Sequence, residues 1–259
     1  MNPLQRAVIE KVGNEYGFEN ILPDEREAVC LGSARHRAQV CIAQQSDLFK
    51  VDFSSTVAGQ LPAELARSFP GVERKDSTFI ADSLDELAQL LRRAAALAKA
   101  LPNQVAVDFE ALVNKELEQF HSALIQNTEV ERLVRQRVGQ QAFRQAMLDY
   151  WGGACAVTGV ALPEVLRASH AKPWAECISD AERLDVFNGF LLNANLDALF
   201  DRFLITFSDD GELITSSAIT APVRESLGLD KPLSLRWLAQ EHQPYLEFHQ
   251  ARFRACADK

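Results

Sequence analysis

Residues 165–207 read VLRASHAKPWAECISDAERLDVFNGFLLNANLDALFDRFLITF. VLRASH (165–170) has strand character and delivers His170 at its end, where Pro173 turns the chain away. A polar loop of fifteen residues, Trp174 to Asn188, returns the chain through the apolar run Gly189 to Leu192. That run is expected to pair back against the first strand. Asn195 to Arg202 then reads as two helical turns, with Leu196, Leu199 and Phe200 on one side and Asp197 and Asp201 one turn apart on another. An imidazole on a strand can thus face a carboxylate on a helix. SDDG at Ser208 to Gly211 reads as a hairpin turn between LITF and ELIT.

Upstream, residues 3 to 16 read as a helix. AVCLGS (28–33), AQVCIAQ (38–44) and LFKVDFS (48–54) are short runs with β-branched or aromatic content separated by polar turns, the pattern of an antiparallel meander. Ser83 to Glu86 is a capping box that opens a helix through LAQLLRRAAALAKA, and Pro102 stops it. A further helix is expected over FEALVNKELEQFHSALI. A second capping box, Thr128 to Glu131, starts another that carries Leu133, Val134, Val138, Phe143, Met147 and Leu148 at helical spacing and ends at Trp151-Gly152-Gly153. The expected fold class is α+β. Residues 1–110 form a small α+β domain with an antiparallel sheet, 111–150 a helical linker and 151–259 a second domain.

With 47% hydrophobic and 24% charged residues among 259, the chain is globular in composition rather than disordered or fibrous. No window approaches a membrane span, and the start lacks the basic-then-apolar layout of a signal peptide, so no membrane partner and a cytoplasmic location are expected. The formal charge of −9 argues against a polyanionic partner, although a local basic patch can survive a negative sum. Five scattered cysteines, Cys30, Cys41, Cys155, Cys177 and Cys256, contain no C-x-x-C pair. They read as reduced thiols in packing roles, with no disulfide framework.

Three elements in this order, S-H-A-K-P at Ser169 to Pro173, N-G at Asn188 and Gly189, and N-L-D-A-L-F-D-R at Asn195 to Arg202, resemble the HNH endonuclease family. The likeness runs from about Thr128 to Phe253. It implies a ββα-metal core of two antiparallel strands and a helix around one divalent cation, Mg²⁺ or Mn²⁺. It also implies DNA as substrate and a role in restriction or defence. Phosphodiester hydrolysis needs a base to deprotonate water and a cation to neutralise developing charge. By this resemblance His170 is the general base and Asn188 holds the loop and the imidazole. Asp197, or failing that Asn195, binds the metal. Lys172 and Arg167 are the expected cationic contacts to substrate, Lys172 being balanced between phosphate contact and packing. Two features depart from the family: Ser169 stands where many members have Asp, and Asp197 where His or Asn is usual. The positions that carry zinc-binding C-x-x-C pairs in many relatives read Cys155-Ala-Val-Thr158 and Asn193-Ala-Asn-Leu196. No structural zinc is therefore expected, and packing of Trp151, Phe187, Phe190 and Phe200 must supply the rigidity.

The other candidates read as structural. His36, His121, His242 and His249 have no partner pattern, and Asp201 and Arg202 fit a helix cap or a structural pair. Arg132, Arg135, Arg137 and Arg144 fit a solvated face better than a phosphate site. Trp174 is balanced between packing and substrate. Residues 1–110 are expected to select a target or a partner, and symmetric cutting of both strands would call for a homodimer. Ser169 and the acidic balance motivate one alternative from a different class, a non-cleaving DNA- or protein-binding module that keeps the HNH fold.

Overall fold

The computed structural model describes residues 1–23, 28–54, 60–118 and 128–257. The chain divides into two compact units, Met1–Gln104 and Val105–Lys259.

The N-terminal unit is a six-stranded sheet with helices. Its strands are β1 (Asn20–Leu22), β2 (Val29–Gly32), β3 (Gln39–Gln45), β4 (Leu48–Ser54), β5 (Arg74–Lys75) and β6 (Thr78–Ala81), in spatial order β1-β2-β3-β4-β6-β5 with antiparallel pairing. The meander expected over residues 28–54 is present as β2, β3 and β4. Strand β4 alternates strictly, burying Phe49, Val51 and Phe53 while Leu48, Lys50, Asp52 and Ser54 face out. Helices α1 (Pro3–Glu15), α2 (Gln60–Ser68) and α3 (Leu84–Ala100) complete the unit. Ser83 caps α3 as expected, its hydroxyl accepting from Glu86 N at 3.2 Å, but the return bond differs from a capping box: Glu86 accepts from Asp82 N, one residue before the cap, at 2.8 Å. Leu87, Leu90, Leu91 and Ala94 of α3 are fully buried.

The cysteine expectation fails here. Cys30 and Cys41 face each other in the β2–β3 register and form a disulfide. Antiparallel pairing brings side chains that are eleven residues apart in sequence directly opposite one another. Cys155, Cys177 and Cys256 are free.

Helix α4 (Pro102–Leu117) begins where α3 was expected to stop; Pro102 sits in its first turn, where the missing N–H costs nothing. Helix α5 (Thr128–Tyr150) follows. It ends as expected, with Gly152 and Gly153 at φ 65° and 70° and Gly153 N donating to Leu148 O at 2.7 Å. His121 and the Thr128 side chain lie outside the described residues.

The C-terminal unit pairs β7 (Leu166–His170) with β8 (Gly189–Asn193) in antiparallel register, His170 opposite Gly189. Gly189 is required there, because a Cβ would lie 2.1 Å from Ser169 O. The segment between the two strands is not a plain loop: it holds a 3₁₀ turn at Trp174–Glu176 and helix α6 (Asp180–Leu184). Ser179 caps α6, its Oγ accepting from Glu182 N, while Glu182 accepts from Ile178 N, one residue before the cap. Helix α7 (Ala194–Phe200) leads directly from β8, capped by Asn193, and packs against β7. Strands β9 (Ile205–Phe207) and β10 (Leu213–Thr215) form the expected hairpin, with Gly211 at φ 86° in its turn. Helices α8 (Ala221–Ser226) and α9 (Gln243–Ala257) close the unit. Trp151, Phe187, Phe190 and Phe200 are buried in one aromatic core with Tyr150 and Phe207. Arg236 ties the C-terminal part to the end of α5, donating to the Trp151 and Ala154 carbonyls at 2.6 and 2.8 Å. Among the described residues no helix is long and apolar enough to cross a membrane.

The arginines of α5 are more engaged than a solvated face implies. Arg135 bridges Glu110 and Asp180, Arg137 pairs with Glu116, and Arg144 donates to the Leu166 and Pro163 carbonyls. Arg132 is exposed and has no acidic partner among the described residues.

Candidate functional site

The pleat of β7 turns His170 and Ala168 to one side and Ser169 to the other. His170 and Ala168 line a cleft of about 320 Å³ whose other walls include Trp174, Phe200, Asp201 and His249. The imidazole stacks on Phe143 of α5, ring centroids 3.8 Å apart and planes within 19°. Trp174 meets it edge-on at 5.8 Å. Trp174 reaches this place across Gly139, where a Cβ would lie 2.4 Å from its Cη2.

His170 Nε2 lies 2.9 Å from the Arg183 carbonyl. A carbonyl only accepts, so Nε2 carries the proton and Nδ1 keeps its lone pair. Burial holds the imidazole down to about 4, and the Arg183 carbonyl opposes this only in part. The ring is therefore neutral at pH 7.

Asn188 is fully buried and does not touch the imidazole. Its Oδ1 accepts from Lys172 N at 2.8 Å, while Nδ2 donates to the Glu182 carbonyl at 3.0 Å and the Lys172 carbonyl at 3.3 Å. It pins both ends of the β7–β8 connection, and the residue after Glu182 is Arg183, whose carbonyl orients His170. Asn188 is therefore linked to the acceptor of the His170 ring only through the backbone.

On α7, Asp197 accepts from Ser169 Oγ at 2.6 Å. The residue that departs from the family thus contacts the residue expected to hold the metal. Asp201 stands one turn on, at the C-cap, with its N bonded to Asp197 O. Of the two aspartates it is Asp201 that lines the cleft with His170. Partial burial first, and then the negative charge of Asp197, push its carboxyl above the usual range. Asn195 is exposed in the first turn of the same helix. Among the described residues no three His, Cys, Asp or Glu side chains converge as a metal cluster. A hard cation such as Mg²⁺ takes only one or two carboxylates and keeps water on its remaining positions, so the Asp197–Asp201 pair fits it.

The two expected phosphate contacts differ. Lys172 is 18% exposed and pairs with Glu182 at 2.7 Å. Arg167 is exposed, donating only to the nearby Glu164 and Leu166 carbonyls at 2.9 Å.

Sequence reasoning did not pick out Phe143; Asp201 is at the C-cap of α7, as expected of it, and also lines the cleft. His249 is structural as expected: Thr206 Oγ1 donates to its Nδ1 and its Nε2 donates to the Phe200 carbonyl, both at 3.0 Å. Burial holds it down to about 4.

A strand ending in His, a return strand opened by Asn-Gly, and a helix bearing two aspartates follow one another within some forty residues. Residues 155–208 match the HNH endonuclease family. No curated protein matches the chain. The HNH segment lies in the C-terminal half, contains His170, Asn188, Asp197 and Asp201, and points to nuclease activity. Phe143 and His249, which pack against it from either side in sequence, fall outside the match.

Proposed function

We propose that the C-terminal unit is a divalent-metal-dependent DNA endonuclease of the ββα-metal type. The observation that carries the reading is the placement of His170: it stands at the wall of a cleft shared with Asp201, with Nε2 turned to a backbone carbonyl and Nδ1 without a hydrogen-bond partner among the described residues. In this reading Nδ1 accepts the proton of the attacking water, and the Arg183 carbonyl steadies the imidazolium as it forms. Phe143 and Trp174 fix the ring plane, so the lone pair does not swing away from its target. Asp197 and Asp201 hold Mg²⁺ or Mn²⁺, with Asn195 a further oxygen donor on the same helix. When bound, that cation neutralises the charge that builds on the phosphate and the leaving oxygen. Arg167 is the better placed of the two cations to meet a flanking phosphate, since Lys172 is held by Glu182. The N-terminal unit would select the target or a partner, as in a restriction or defence enzyme.

The test is nicking of supercoiled plasmid with Mg²⁺ or Mn²⁺, using methylated, hydroxymethylated and unmodified DNA. His170→Ala should lower the rate at least about 100-fold with the fold intact. Cleavage by the variant at the parent rate would overturn the assignment of the base.

The Ser169–Asp197 hydrogen bond favours one other reading, a non-cleaving module, because it occupies a carboxylate oxygen that a metal would use. Calorimetric titration with Mn²⁺ separates the two. Binding that is lost in Asp197→Ala and Asp201→Ala supports the nuclease, whereas no binding together with no cleavage supports the module.

A further inference from the structure

One wall of the cleft that holds His170 and Asp201 is a strained residue. Phe203, three residues past α7, has φ 55°. Leu204 N donates to Leu199 O and Phe203 N to Phe200 O, both at 2.9 Å. This is the Schellman pattern, whose left-handed residue is usually Gly and sometimes Asn. Any side chain there brings its Cβ against the backbone, a clash that Gly escapes. Among the described residues the other non-glycines with positive φ are Ser46 and Asp76, short polar groups suited to turns. A bulky residue in this conformation is an outlier, and such strain gathers at functional sites.

The Phe203 ring lines the cleft and is half-buried. Its backing is rigid. His249 meets it at 4.9 Å, stacks on Phe200 at 3.7 Å, and is hydrogen-bonded through both nitrogens, so His249 supports the ring and has nothing left to offer a ligand. Trp174 is the other half-buried aromatic of the lining, but it is already engaged by His170 at 5.8 Å and by the Arg183 guanidinium at 5.7 Å. No Lys or Arg is found among the described residues of the lining. A phosphate therefore meets no side-chain cation inside the cleft, whereas a flat ring meets apolar walls. The volume, about 320 Å³, is within the range of small-ligand sites, about 300–1,000 Å³.

We infer that this cleft admits one unpaired base of a DNA strand, stacked on Phe203, and that Phe203 thereby selects single-stranded or distorted DNA over a perfect duplex. That the ligand is DNA rests on the nuclease reading; the selection by pairing state is added to it. In a perfect duplex every base is paired and stacked and must be swung out to reach such a cleft, whereas a single strand or a bulge presents a base already free. Stacking on an aromatic ring tolerates every base, so the selection is by pairing state and not by sequence.

The experiment uses the full-length protein and one oligodeoxynucleotide sequence, offered as single strand, perfect duplex and duplex with a one-nucleotide bulge. Single-turnover cleavage with Mg²⁺ or Mn²⁺ should be about tenfold faster or more on the single strand and the bulge than on the perfect duplex. Binding is read separately in Ca²⁺ by fluorescence anisotropy, comparing oligothymidylate with an abasic strand of the same length. The abasic strand should bind about tenfold more weakly. Phe203→Leu keeps an apolar side chain on the same strained backbone but removes the flat face, so both ratios should fall towards one; Phe203→Tyr should keep them. A purely structural Phe203 would shift the denaturation midpoint in Phe203→Leu and leave the ratios as they are. If Phe203→Leu does not fold, the two ratios of the parent still decide. Equal cleavage of duplex and single strand, equal binding of the abasic strand, or ratios unchanged in Phe203→Leu would each overturn the inference and leave the nuclease reading standing. Base-dependent binding that Phe203→Leu abolishes, with no cleavage of any substrate, would support the inference and overturn the nuclease reading alone. No binding and no cleavage would overturn both.

Discussion

His170 and Arg183 are joined ring to backbone, the imidazole Nε2 donating to the Arg183 carbonyl at 2.9 Å. Because the acceptor is main chain, no side-chain substitution at position 183 removes it, and the tautomer of the ring is set by the path of the chain. With the imidazole held down to about 4 by burial, the ring proposed as base is unprotonated throughout the neutral range. Single-turnover cleavage at saturating metal should therefore show no acid limb near 6.5, the ordinary histidine value. A limb at that value would mean that the titrating base is not the buried ring.

Asn188→Ala removes the group that pins both ends of the β7–β8 connection and leaves buried partners unsatisfied. Chemical denaturation should show a loss of about 3 kcal/mol. Cleavage should fall as well, because the Arg183 carbonyl is no longer held. Asn188→Asp keeps the acceptor but loses the amide donors to Lys172 and Glu182, so it should not restore activity.

Gly139→Ala should drive Trp174 away from α5, since the new methyl would fall on its ring. Overpacking of this kind costs about 1–3 kcal/mol. Tryptophan fluorescence should report the displacement.

Acid should weaken the fold through its buried histidines, and besides His170 these include His36 and His249, both held down to about 4 from 6.5. Their folded values lie below the unfolded one, so between about pH 6.5 and 4 the unfolded chain binds more protons. Stability is unaffected above that window and falls as the pH drops through it. The urea midpoint should be lower at pH 5 than at pH 7, and equal at pH 7 and 8 as far as these groups are concerned.

Thiol titration tests the disulfide. The denatured, unreduced protein should react at three cysteines, Cys155, Cys177 and Cys256, and at all five after reduction. Five reactive thiols without reductant would return Cys30 and Cys41 to the reduced state that their spacing implies.

The β7–β8 hairpin was legible because its signals are local: a strand-like run, a Pro, an Asn-Gly and an apolar return. The caps at Ser83 and the glycines after Tyr150 were legible for the same reason. Helix α6 was missed although Ser179 and Glu182 carry the same capping signature, because the surrounding residues read as polar loop. The Cys30–Cys41 pair depends on strand register, which no spacing rule reveals. Phe143 reaches His170 across tertiary packing and carries no motif. The Asp197–Asp201 spacing was visible, but which aspartate faces the cleft depends on the rotation of a two-turn helix against its hairpin.

Arg236 has a consequence for how the C-terminal unit can be divided. Its guanidinium holds the Trp151 and Ala154 carbonyls, its own N donates to the Ala156 carbonyl, and Tyr245 further on reaches Asp185. The 155–208 segment that bears the family pattern is thus braced on one side by α5 and on the other by α9. Excised alone it would expose the faces of Phe190, Phe200 and Phe207 that these helices cover, and would behave as a sticky, unfolded peptide. The smallest piece expected to fold by itself is the whole compact unit, Val105–Lys259, which should melt in a single step.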